Sequence, residues 1–307
     1  MKTTLHTFEP AHFHTTIGWH EPVLRIRSGD VIRTWTVDSG GYDLDGNDIT
    51  EGGNPQTGPF YVVGAEPGDT LRVHFSRIRP NRTRGVSGAL VAPNVVDPYF
   101  VRELGERTGE DWWVLDLERG TARLEDPPKG LESLGELPLD PMLGCFGVAP
   151  PRGQAISCAT SGEHGGNMDY RGFREGVKVD FPVFAEGGLF HLGDGHAIQG
   201  DGEIVGTGIE VSMDVEFSLE LLKDKTIGWP RAEDDTYVMA VGNARPLDQA
   251  VQHATTELLK LLQEDYGLDY RAGSALAGQF IRYDVGNVFD PAYTLVAKIE
   301  KALLKRL

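Results

Sequence analysis

The chain of 307 residues carries 46 acidic against 29 basic residues, a formal net charge of −17, with 39 glycines, 18 prolines and two cysteines. That surplus of negative charge repels phosphate backbones and anionic bilayers, which argues against nucleic-acid and membrane partners. The length suits one large β-rich unit or two closely packed subdomains. The glycine and proline content implies many turns, and the absence of an apolar leader with only two thiols fits a reducing cytoplasm.

His12 and His14 flank Phe13, so a strand there would put both imidazoles on one face. With His20 they read as incidental residues of a surface strand rather than metal ligands. VLRIRSGDVIRTWTV (23–37) alternates apolar and charged residues on both sides of Ser-Gly-Asp, a hairpin signal. FYVVGAEPGDTLRVHFSRIR (60–79) repeats the pattern around Glu-Pro-Gly-Asp, and the echo suggests a duplicated β unit. The intervening DSGGYDLDGNDITEGGNP (38–55) holds part of a calcium loop without its full spacing. An ordinary loop is expected there, with Ca²⁺ as a second, structural ion the alternative.

Residues 81–140 are irregular and include the acidic run RLEDPPKGLESLGELPLDPM, the profile of a lid or a subunit contact. Trp112 and Trp113 are adjacent, and core packing is the expected role of both. LGCFGVAPPRGQAISCATSG (143–162) reads as two strands around a Pro-Pro turn. It places Cys145 and Cys158 among apolar residues, where a thiol is an inert hydrophobe unless an electropositive partner activates it.

The stretch 161–210 gathers three of the nine histidines and many carboxylates among glycines. His164, Asp169, Asp194, His196, Asp201 and Glu203 are all candidate ligands or acid/base groups, and glycine lets the backbone turn sharply around a small ligand. Acidic turns that bond their own backbone would explain either Gly-Asp-Gly segment alone. They explain the imidazoles and carboxylates together less well, and carboxylate with imidazole suits Zn²⁺ and related ions. Neither HExxH nor paired CxxC occurs. Strand alternation puts Asp194 at the end of an apolar face and His191 on the other face, away from a site. IVGTGIEVSMDVEFSLELL (204–222) reads as a long strand with Glu210, Asp214 and Glu216 in alternation, most of them on a solvated face.

Helical periodicity takes over in ARPLDQAVQHATTELLKLLQEDYGL (244–268), bounded by Pro246 and Gly267. A second helix is expected from about Pro291, its Lys301, Lys305 and Arg306 complementing the dipole. Asn287 and Asp290 between the two read as turn formers. The expected class is mainly β (α+β), with β-sandwich or barrel-like subdomains at about 1–140 and 141–243 and a helical segment at 244–307.

GEHGGNMD (162–169), GDGHAIQGDGE (193–203), NPQTGPFYVVGAEPGDTL (54–71) and IRPNRTRG (78–85) together resemble signature segments of the acetamidase/formamidase family. The similarity runs from the first strands to about Asn243. It implies a single mainly β unit over 1–307 that binds a divalent metal and hydrolyses a short amide to a carboxylate and ammonia. Under that reading some of His164, Asp169, Asp194 and His196 hold the metal, with Zn²⁺ expected. Glu203 is the general base and His164 a further catalytic candidate. The N–H groups of Gly165, Gly166 and Asn167, with the Asn167 amide, bind substrate and its oxyanion. A homodimer acting on a small-molecule amide is the default assembly. The alternatives are a hydrolase of a small lactam, a cupin-like metal oxygenase or isomerase, and a non-catalytic β-sandwich binding module. The cupin reading wants His-x-His where this chain has Asp194-x-His196.

Overall fold

Strands Val31–Thr36, Thr70–Pro80 and Met213–Leu222 largely bury alternate side chains, Lys178–Pro182 buries all but its first residue, and the four lie side by side near one end of a nine-stranded sheet. Facing it is a six-stranded sheet built from Ser161–Gly162, Gly165–Asn167, Met142–Gly147, Phe190–His196, Gln56–Val62 and Leu24–Ile26. The computed structural model describes residues 3–307. Phenylalanines from both sheets meet edge to face between them. Phe60 and Phe217 lie 5.4 Å apart by ring centroids, and Phe75 and Phe146 5.1 Å apart. Each such fully buried ring contributes roughly 1.5–3 kcal/mol of transfer free energy. In the large sheet, strands from the first eighty residues alternate with strands from 178–222, so neither half of the chain forms that sheet alone.

The two expected hairpins are corners instead. Leu24–Ile26 pairs in parallel with Gln56–Val62 in the smaller sheet, whereas Val31–Thr36 and Thr70–Pro80 flank Met213–Leu222 in the larger one. Each Gly-Asp turn therefore carries the chain across the sandwich. Alternation shows that a strand has one buried face, which cross-sheet packing satisfies as well as a hairpin does. The repeat itself has a structural counterpart. Asp30 accepts the N–H of Arg27 at 3.0 Å, and Asp69 accepts the N–H of Glu66 at 2.9 Å, the same bond three residues back at both corners.

Part of the segment expected to be irregular is an antiparallel four-stranded sheet of Arg84–Gly88, Glu110–Asp116, Thr121–Leu124 and Leu137–Pro138. Trp113 packs against the core with its indole N–H on Ser87. Trp112 does not. It is 39% exposed, with the Arg84 guanidinium 4.2 Å above its ring. The helix Leu247–Tyr266 ends at Gly267 in the left-handed region and covers Tyr237–Ala244 and Tyr293–Glu300 with its apolar stripe. The second expected helix is wrong over most of its length. Tyr293–Glu300 is a strand between Tyr237–Ala244 and Arg282–Asn287, and only Lys301–Leu304 is helical. Its β-branched Thr294, Val296 and Ile299 are fully buried, which suits a central strand covered on both faces. A helix at Tyr270–Phe280, capped by Asp269, was not expected. Among the described residues no helix is long and apolar enough to cross a membrane.

Candidate active site

The strand Phe190–His196 lies between Met142–Gly147 and Gln56–Val62 and delivers Asp194 and His196 at its end. Its antiparallel pairing keeps one register from Met142 opposite His196 to Gly147 opposite His191, which sets Gly144 across from Asp194. Asp194 adopts φ 60° there. A Cβ at Gly144 would stand 2.2 Å from an Asp169 oxygen and 2.6 Å from an Asp194 oxygen. Only glycine at 144 leaves room for the two carboxylates.

Five carboxylates from separate segments surround one imidazole. Asp169, Asp194, Glu203, Glu210 and Asp290 are 0–6% exposed, and His196 is fully buried among them. Ligating atoms of Asp169, His196 and Glu203 lie within 4.8 Å of one another, as do those of Asp194, His196 and Glu210. Backbone conformation marks the same place. Asn54, Asp169, Asp194 and Glu203 all have positive φ, at 57°, 42°, 60° and 47°. Residues held in that region cost energy, and such strain gathers at functional sites. Asparagines tie the carboxylates together. Asn54 Nδ2 donates to Asp194 at 3.2 Å and to Asn167 at 2.8 Å, Asn287 Nδ2 donates to Asp169 at 3.2 Å, and Asn167 Nδ2 donates to Asp290 at 2.7 Å.

Gln199 determines which nitrogen of His196 faces the carboxylates. Its Nε2 donates to the backbone carbonyls of Asp169, at 2.5 Å, and Gly286, at 3.4 Å, so its Oε1 must accept. The partner of that oxygen at 2.8 Å is His196 Nδ1, which therefore carries the proton. His196 Nε2 is left facing Glu210 Oε1 at 2.9 Å and Asp194 Oδ1 at 3.4 Å, with no hydrogen bond of acceptable geometry. Among the described residues Asp169 Oδ1, Glu203 Oε2 and Glu210 Oε2 have no hydrogen-bond partner either.

Electrostatics amplifies the point. Burial opposes charge on His196, yet Glu210 and Asp194 overcome it and hold its pKa well above the ordinary value. Burial pushes Asp169 and Glu203 far up from the ordinary carboxylate range, and Asp290 up to about 6. Among the described residues His196 is the only ion-pair partner of any of these acids. Buried carboxylates in this number are costly unless protonated or neutralised by a cation. Unpartnered oxygens and an imidazole nitrogen converging over a glycine are what a divalent cation requires, so these residues fit one.

The other sequence candidates stand outside the two ligating groups. His164 is buried but belongs to neither ligating group, and burial lowers its pKa to about 4. Gly165–Asn167 is a strand paired on both edges rather than a loop presenting N–H groups. A Cβ at Gly165 would lie 2.6 Å from Phe146 O, and one at Gly166 2.5 Å from Thr160 O, so both glycines serve close packing. The Asn167 amide is engaged at both ends, by Asn54 and Asp290. The side chain of Asp201 is 64% exposed, near Arg171. The Cys145 thiol is pushed up by burial, which leaves it inert. His14 and His20, expected on a surface strand, stack at 3.9 Å with His191 edge-on to both. The cupin-like reading wants several imidazoles, and this centre has one.

Sequence reasoning missed Glu210, taken for a solvated face, and Asn287 and Asp290, taken for turn formers. It gave Asn54 and Gln199 no role, although both lie within segments carrying the family resemblance. A cleft of about 980 Å³ runs from Glu210 outward past Ser39, Tyr42 and Trp112.

The model of the Acetamidase/Formamidase family matches residues 148–232. A crystal structure of acetamidase from Yersinia enterocolitica is 30% identical, with a TM-score of 0.84 over 99% of this chain and 94% of that one. A predicted acetamidase/formamidase from Thermoanaerobacter tengcongensis is 28% identical, also with a TM-score of 0.84, over 99% and 98%. The γ-lactamase of Delftia acidovorans, 19% identical with a TM-score of 0.58 over 92% and 88%, shares the fold alone. The chain spans about half the length, or less, of the curated relatives it matches. One from Schizosaccharomyces pombe is 24% identical over 212 residues, which is 55% of this chain and 52% of that protein.

Proposed function

The chain belongs to the acetamidase/formamidase family, and from that premise we propose that it hydrolyses short linear amides at a divalent cation, RCONH₂ + H₂O giving RCOO⁻ and NH₄⁺. The carrying observation is the buried set of five carboxylates around one imidazole, in which Asp169 Oδ1, Glu203 Oε2, Glu210 Oε2 and His196 Nε2 have no hydrogen-bond partner among the described residues. His196, which belongs to both ligating groups, would hold the ion with Asp169 from one and Asp194 from the other, and Glu210 lies 2.9 Å from His196 Nε2. When bound, the cation polarises the amide carbonyl and lowers the pKa of water. Zn²⁺ suits this donor set, and Mn²⁺ or Ca²⁺ suits its oxygen-rich side.

Glu203 is the general base. Among the described residues its Oε2 has no hydrogen-bond partner, which leaves it an open acceptor for a proton of the attacking water. As the new C–O bond forms and the C–N bond breaks, Glu203 Oε2 gives that proton to the leaving nitrogen. Gln199 keeps the His196 proton on Nδ1, so Nε2 stays available to the ion.

Ammonia release from formamide, acetamide and a small lactam, before and after chelation and after restoring single divalent ions, tests the proposal. Turnover of the linear amides, lost on metal removal and regained with Zn²⁺, is expected. Full activity after verified metal removal would eliminate the metal part, and no ammonia from any amide would eliminate the hydrolase.

A further inference from the structure

The cleft is far larger than the amides just named. Formamide has three heavy atoms and needs room on the order of two or three waters, at roughly 30 Å³ each. The cleft of about 980 Å³ is of the size that encloses a ligand many times larger. It meets the candidate centre at the buried Glu210, which lines it. Aromatic and apolar side chains stand in its wall among polar and charged ones. Trp112, Tyr42 and Leu44 are 39%, 43% and 43% exposed, on two separate segments of chain. Scattered exposed apolar residues need no explanation, whereas several lining one cleft above a buried polar floor mark a binding surface.

The charges lining the cleft narrow what it takes. Arg82 is bound to Asp38 at 2.5 Å and Arg84 to Glu125 at 2.6 Å, so both guanidinium groups are neutralised. Asp45 and Glu110 also line the cleft, and among the described residues neither has an ion-pair partner. An anionic substituent would be repelled there. An uncharged planar ring would stack on Trp112, whose other ring contact is the Arg84 guanidinium.

We infer that the preferred substrates of this enzyme are primary amides whose acyl group carries an uncharged aryl ring, seated against Trp112 and Tyr42 while the carboxamide lies at the His196 centre. The inference rests on the amidohydrolase reading and deepens it. Hydrolysis of 2-phenylacetamide and of acetamide, measured as ammonia release by the wild type, Trp112→Ala and Tyr42→Ala, tests it. The wild type is expected to show a kcat/KM for phenylacetamide at least about tenfold above that for acetamide. In each variant the ratio of the two falls by about tenfold through KM, the size of one lost aromatic contact with its buried area. Trp112→Phe keeps part of the preference, which separates a stacking role from a folding defect. A wild type that turns over acetamide as fast as or faster than phenylacetamide overturns the inference and leaves the hydrolase standing. So do variants that lower both substrates in proportion. Release of ammonia from neither amide removes the hydrolase reading and this inference with it.

Discussion

His191 and His196 sit on one strand, both fully buried, in opposite surroundings. His191 has the carbonyl of Gly18 at 3.2 Å and two other imidazole rings beside it, and burial lowers its pKa to about 3. His196 is ringed by carboxylates, and its pKa is driven the other way. Residue type and burial are the same. What differs is what other segments bring: Asp169, Glu203, Glu210 and Asp290 at one end of the strand, His14 and His20 at the other. A chemical site is made by convergence, and a buried histidine without it is packing.

Replacing each histidine is the harshest way to break that contrast. His196→Ala removes an imidazole from the ion and should lower kcat/KM by roughly 10³-fold or more, several kcal/mol at 1.36 kcal/mol per decade, with loss of bound metal by elemental analysis. His191→Asn should keep its metal and most of its kcat while lowering the melting temperature. If the two variants lose metal alike, the contrast is gone. Glu203→Gln sharpens it from the acid side. An isosteric amide cannot take a proton, so kcat should fall about 10²–10⁴-fold with metal content intact.

Gln199→Leu should act more mildly, because it frees the proton of His196 to move between nitrogens rather than removing a ligand. Metal affinity should drop about 10–100-fold by competitive chelator titration, and Gln199→Glu, which can still accept from Nδ1, should recover part of it. Stability against pH gives the smallest effect. His164 has a folded pKa of about 4, below the 6.5 of an ordinary imidazole, so between those values the unfolded chain binds more protons. Stability from this group is therefore complete above pH 6.5 and lost as pH falls towards 4. Its share between pH 7 and pH 5 is about 2 kcal/mol. Urea denaturation of wild type and His164→Gln should diverge by that amount on acidification. Parallel curves would show that His164 is not held neutral in the fold.

The sequence made part of this site legible. Asp169, Asp194, His196 and Glu203 stand in glycine-dense segments, where titratable side chains are out of place unless they work. Glu210 was hidden because alternation continues through it into a half-solvated strand, and nothing local separates it from Asp214 or Glu216. Asn287 and Asp290 have the composition of a turn, and only the packing of Gly202 against Asn287 brings them in. His164 stands out by its neighbours in sequence, but the strand Gly165–Asn167 carries Asn167 to the carboxylates while His164 joins neither ligating group. The fold followed the same rule. Buried faces were readable from alternation, but sheet membership was not, so the two Gly-Asp corners passed for hairpins. The apolar run of Tyr293–Glu300 could be told from a helix only by the sheet it enters.

Anomalous X-ray diffraction from crystals grown with Zn²⁺ tests the cation centre most directly. The account predicts a peak at ligand distance from His196 Nε2, shared with carboxylate oxygens of Asp169 or Asp194. A peak confined to the His14 and His20 stack, or none beside His196 at full zinc occupancy elsewhere, would contradict it.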